Sequence, residues 1–78
     1  MTREGILVDH VAKQLVDDPA SVVVTETRVG DFLKLHLAVG EPDVGKVIGR
    51  GGRIAKAIRT LLKVMATRDG SKVSLDID

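Results

Sequence analysis

The residues best suited to chemistry lie in one stretch, "GKVIGRGGRIAKAIRTLLK", Gly45 to Lys63. Three glycines in four residues, Gly49, Gly51 and Gly52, surround Arg50. Glycine lets a ligand approach the backbone without meeting a Cβ. Amides left free at the start of a helix favour anions. The charges around the glycines agree. Seven of the 12 basic residues, Lys46, Arg50, Arg53, Lys56, Arg59, Lys63 and Arg68, fall between Val44 and Arg68, and none of the 11 acids does. That window carries +7; the remainder, with five cations against 11 acids, carries −6, and the net charge of +1 hides the polarity. A basic pole of this kind is the footprint expected for a phosphate-rich partner. Charge alone equally allows a solvated helix face whose neutralising acids lie elsewhere in the fold.

Other chemistry has little to work with. Without cysteine there is neither a thiol nucleophile, nor a disulfide framework, nor a thiolate metal site. His10 and His36 are far apart in sequence and lack the serine and acid partners of a familiar catalytic motif. Asp17-Asp18 reads as a solvated helix end rather than a metal site, because adjacent residues do not converge on one ion. No enzyme activity, cofactor or metal is expected. Two nucleotide-loop motifs also fail. "GEPDVGKV" fits the glycine and lysine spacing of a Walker A loop, but Val47 stands where Ser or Thr must hold magnesium. A dinucleotide fingerprint would need glycine at position 54, which is Ile54.

The elements that position this stretch follow from periodicity. At 78 residues and 44 % hydrophobic, the chain is expected to form one domain with a thin core. Leu7, Val8, Val11, Ala12 and Leu15 recur at helical spacing behind Thr2, a candidate N-cap, and Asp17-Asp18-Pro19 ends that helix. "SVVVTETRV" predicts a strand. "FLKLHLAV" predicts a second, with Leu33, Leu35, Leu37 and Val39 on one face and Phe32, Lys34, His36 and Ala38 on the other, joined to the first through Gly30. A short helix begins near Pro42, with Asp43 in its first turn, and the glycines interrupt it. A longer helix runs to about Arg68, with Ile54, Ala57, Ile58, Leu61, Leu62 and Met65 on its inner side and Asp69-Gly70 as its stop. On that helix Arg53, Lys56, Arg59, Thr60 and Lys63 share an arc of roughly 120°. "KVSLDID" closes the chain as a strand with Val73, Leu75 and Ile77 inward. The order α-β-β-α-α-β predicts an α+β fold, a three-stranded sheet with the helices on one face. No apolar run reaches the ~20 residues of a membrane helix. "MTREGILVDH" is not a signal peptide, and the chain suits a reducing cytoplasm.

With those elements in order, "VIGRGGRI", Val47 to Ile54, resembles the V-I-G-x-x-G-x-x-I signature of the KH domain. The element order is similar to the type II arrangement of that family, and the resemblance spans residues 1–78 as one KH unit, like the small bacterial KhpA (YlqC) family. The resemblance implies single-stranded RNA as partner, with Gly49, Arg50, Gly51 and Gly52 clamping the backbone of about four nucleotides. It places Val44, Val47, Ile48 and Ile54 along an aliphatic groove for the bases, with part of the second strand as its far wall. Arg50 is the natural phosphate contact, and Lys46, Arg53 and Lys56 extend it. It further implies a post-transcriptional regulator or RNA chaperone. The alternative is an adaptor that pairs with itself, or forms a heteromer with a larger Jag-type (KhpB) protein. For the homodimer, the long helix offers an apolar arc wider than a three-stranded sheet needs, with Leu62 at its edge. Phe32 is the only aromatic residue, which excludes an aromatic stacking platform but not an aliphatic groove.

Overall fold

The computed structural model describes residues 1–78. Its elements are α1 (Arg3–Leu15), β1 (Val23–Val29), β2 (Phe32–Ala38), α2 (Val44–Ile48), α3 (Arg53–Asp69) and β3 (Lys72–Ile77), the expected α-β-β-α-α-β order. The Thr2 side chain accepts from the Gly5 amide and caps α1. β1 and β2 pair antiparallel from Val23↔Ala38 to Val29↔Phe32, so only Gly30 and Asp31 make the turn. β2 and β3 pair parallel from Phe32↔Lys72 to Leu37↔Ile77. A parallel neighbour needs a crossover. Here α2, the glycine loop and α3 supply it, and the sheet order is β1-β2-β3.

The alternation in β2 builds the core. Leu33, Leu35 and Leu37 are buried beneath Val8, Ala12, Val47, Ile58 and Leu62, with Leu75 beside them on β3. Each fully buried leucine contributes about 2 kcal/mol of apolar transfer. The opposite side of β2 carries Lys34 and the half-buried Phe32 and His36.

Three expectations change. The first strand starts at Val23 because Pro19–Ser21 forms a 3₁₀ turn and Val22 turns into the core. The second short helix is preceded by another 3₁₀ turn, Glu41–Asp43, so α2 itself begins only at Val44. The inner face of α3 is Ala55, Ile58, Leu62 and Ala66, while Ala57 and Leu61 face solvent. Apolar residues occupy more of α3 than one packed face can cover. Ala55 and Ala66 take up inward positions, and the surplus turns outward. Leu62, expected at the edge of the apolar arc, is 1 % exposed, whereas Leu61 and Val64 are 52 % and 49 % exposed. No helix is long and apolar enough to cross a membrane.

Candidate nucleic-acid interface

The glycine loop is a tight connection between α2 and α3. The Gly49 amide donates to the Gly45 carbonyl at 2.9 Å, and the Gly52 amide donates to the Gly49 carbonyl at 3.1 Å. Residues Arg50–Gly52 form one 3₁₀ turn that leads directly into α3. The glycines differ in what requires them. Gly49 has φ 78° and ψ 169°, and a Cβ there would lie 2.6 Å from Ile54 Cγ1 and 2.9 Å from the Ile54 backbone nitrogen. Gly51 also has positive φ, 65°, but a Cβ on it or on Gly52 would meet nothing within 4 Å. Gly49 therefore lets α3 start against the end of α2. Gly51 and Gly52 leave the outer side of the loop bare.

The cations of the basic window divide into paired and unpaired ones. Arg50, Arg53 and Lys56 are exposed, and none has a carboxylate within 4.0 Å. The same holds for Lys63 and Arg68. Arg59 is turned toward the sheet instead, and donates through Nε and Nη2 to the Leu75 carbonyl at 3.2 and 3.1 Å.

Lys46 behaves differently from its expected role. Its ammonium bonds the carboxylates of Asp17 and, at 3.1 Å, Asp43. These bonds, the one to Asp17 foremost, hold its pKa above the usual lysine range. Asp43 is 3 % exposed. Rather than capping α2, its carboxylate accepts from the amides of Asp17 and Asp18 at 3.3 and 3.1 Å. The Lys46 hydrogen bond holds its carboxyl below the ordinary aspartate range, against the opposing effect of burial, and the two amides add to the lowering. A helix of five residues has little stability of its own. This cluster ties α2 to the connection between α1 and β1 and so fixes where the glycine loop begins. Sequence reading recognised no partnership between Asp43 and Asp17-Asp18, because their separation of 25 or 26 residues carries no local signal.

Of the apolar positions, Val44, Ile48 and Ile54 are half-buried beside the loop. Val47, expected to line a groove, is 0 % exposed and belongs to the core, where no ligand can reach it. The signature also shifts by one at its close. The third residue after Gly52 is Ala55, not Ile54; Ala55 is buried, while Ile54 packs against Gly49. Arg50, Arg53, Lys56, Val44, Ile48 and Ile54 thus lie on the Gly49–Gly52 loop or in the helical turns beside it, and Lys46 is tied to Asp17 and Asp43.

Comparison with known proteins identifies the family. Residues 6–77 match the family described as KhpA/KhpB, KH domain. The "RNA-binding protein KhpA" of Clostridium perfringens is 48 % identical over 91 % of this chain and 95 % of its own length. Its namesake in Halalkalibacterium halodurans is 46 % identical over 91 % of this chain and 93 % of its own. That of Caldanaerobacter subterraneus is 45 % identical over 94 % and 97 %. Among solved structures, Aquifex aeolicus Era bound to GDP.AlF4- superposes with a TM-score of 0.65 at 21 % identity, over 95 % of this chain and 29 % of that one, a likeness of fold alone. The chain belongs to the KhpA/KhpB KH-domain family.

Proposed function

We propose that this chain binds single-stranded RNA through the Gly49–Gly52 loop, as a post-transcriptional regulator or RNA chaperone of the cytoplasm. The observation that carries the reading is the set of exposed, unpaired cations Arg50, Arg53 and Lys56 on and just beyond a loop whose outer side has no Cβ to obstruct a strand. The relatives' name, RNA-binding protein, supports it. About four nucleotides run past the loop. Their phosphates meet the Arg50–Gly51 tip, and their bases lie toward Val44, Ile48 and Ile54. Lys46 contributes long-range charge and holds α2 in place. The aliphatic groove binds weakly and reads sequence loosely.

The test is a titration of labelled single-stranded RNA at several salt concentrations. With about two to four phosphate contacts, the slope of log affinity against log salt is on the order of −1.4 to −2.8. Duplex DNA competes poorly, because paired bases cannot enter the groove. Binding that ignores salt overturns the reading.

A second property has its own observation. Leu61 and Val64 are 52 % and 49 % exposed and share a face of α3 with Ala57. Small domains gain stability by covering such a face. We assign it to self-association, or to pairing with a KhpB-type protein. Light scattering that finds only monomer at high micromolar concentration contradicts the homodimer.

A further inference from the structure

Away from the glycine loop, a cavity of about 570 Å³ opens between the second half of α3 and the unpaired edge of β3. Its size falls in the range of small-molecule and nucleotide sites, roughly 300 to 1,000 Å³. Three cations line it, Arg59, Lys63 and Lys72, and no lining residue is acidic. Lys63 and Lys72 are exposed and have no carboxylate within 4.0 Å. Arg59 is held against the wall by the Leu75 carbonyl through Nε and Nη2. The floor is apolar, from Leu62, Ala66 and Leu75. Phe32, the only aromatic residue of the chain, also stands on the lining. An apolar floor, one ring and a cationic rim together suit a planar base carrying an anionic backbone.

The cavity is continuous in charge with the loop. Arg53, Lys56, Arg59 and Lys63 follow one another along the same side of α3 at helical spacing. From Arg53 to Lys63 the helix rises about 15 Å at 1.5 Å per residue. At about 3.4 Å per stacked nucleotide that is roughly four nucleotides.

We propose that this cavity is a second nucleotide subsite, which takes a base of the same RNA strand about four nucleotides beyond the one clamped at the glycine loop. The phosphates between the two sites track the Arg53–Lys63 stripe. Lys63 and Lys72 hold the backbone at the far end, and Phe32 packs against the base. The proposal rests on the RNA-binding reading and extends the footprint from about four to about eight nucleotides.

Fluorescence polarisation with oligouridylates of four and eight residues tests it, on the full chain and on the double variant Lys63→Ala, Lys72→Ala. Both lysines are exposed, so the variant keeps its fold. The parent binds the eight-mer at least twentyfold tighter than the four-mer, beyond the roughly fivefold that extra binding registers alone supply. The variant binds the four-mer as the parent does but loses the additional gain, and its eight-mer salt slope shrinks by about 1.4, two contacts' worth. Phe32→Leu, which keeps an apolar side chain but removes the ring, also lowers eight-mer affinity selectively. A parent gain no larger than the register factor overturns the second subsite and leaves the loop reading intact. So does a variant that keeps the full gain, or one that loses four-mer affinity in equal measure. Failure of the parent to bind either oligomer overturns both.

Discussion

Replacing Gly49 with alanine separates the structural glycine of the loop from its neighbours. At φ 78° and ψ 169°, Gly49 occupies backbone space that is essentially closed to other residues. Forcing a side chain there costs on the order of 1 to 3 kcal/mol. The new Cβ would also lie 2.6 Å from Ile54 Cγ1 and 2.9 Å from the Ile54 nitrogen. The side-chain atom can swing away, but the nitrogen belongs to the first turn of α3 and moves only if the helix moves. Overpacking of this kind adds about 1 to 3 kcal/mol. A loss near 4 kcal/mol corresponds to a Tm lowered by roughly 15 to 30 °C in a domain of this size. Gly51→Ala is the internal comparison. Its φ is also positive, 65°, but its Cβ points into open space. The cost is then about 1 kcal/mol, or a Tm lowered by roughly 4 to 8 °C. Thermal melts followed by circular dichroism read both. If the two variants melt within a few degrees of each other, the close approach of Ile54 to Gly49 is not what demands glycine there.

The Asp43 cluster makes stability depend on acid. Because Lys46 and the amides of Asp17 and Asp18 lower the Asp43 pKa in the folded state, its contribution is fully present above the unfolded value, about 3.9, and is lost as pH falls through the folded value. Denaturant midpoints measured from neutral pH down to about pH 3 should fall for the parent. Asp43→Asn should be less stable at neutrality and change less with acid; an unchanged acid dependence contradicts the assignment. Leu61→Lys, at an exposed position of α3, should leave the Tm within about 4 °C, the effect of less than 1 kcal/mol, while abolishing any dimer seen by light scattering. A dimer that survives the substitution lies on another face.

The three strands and the element order were legible because β2 alternates without a fault and turn residues set off the rest. Leu33, Leu35 and Leu37 could only face a core, whereas the place of β3 beside β2, parallel to it, comes from the structure. The loop was legible because glycine, arginine and an acid-free flank occur together within a few residues. What sequence hid was rotation and distance. α3 has apolar residues over most of its circumference, so periodicity could not say that Ala55 and Ala66 would go inward while Leu61 stayed out. Val47 and Ile48 are adjacent and chemically alike, and only packing buries the first completely. Lys46 sits among the cations in sequence, yet Asp17 reaches it from 29 residues away, beyond the end of α1, and joins the local Asp43 partner. The cavity joins Phe32, Lys63 and Lys72, which no local pattern connects.

The central claim is that the bare outer side of the loop and its arginine hold the RNA backbone, and the double substitution Arg50→Asp, Gly51→Asp addresses it most directly. It removes one cation, adds two anions and puts side chains where the strand must pass. Both positions are exposed, and a Cβ at Gly51 meets nothing within 4 Å. Aspartate is among the residues that best tolerate the left-handed region, so the folding cost at Gly51 stays near 1 kcal/mol. Arg28→Asp, an exposed sign change on β1, is the control. The measurement is the affinity of the folded double variant for single-stranded RNA beside its circular dichroism spectrum. The account predicts a native spectrum and a loss of at least tenfold, about 1.4 kcal/mol, with the control close to the parent. A double variant that is folded and binds RNA as tightly as the parent would reduce the glycine loop to a turn between two helices.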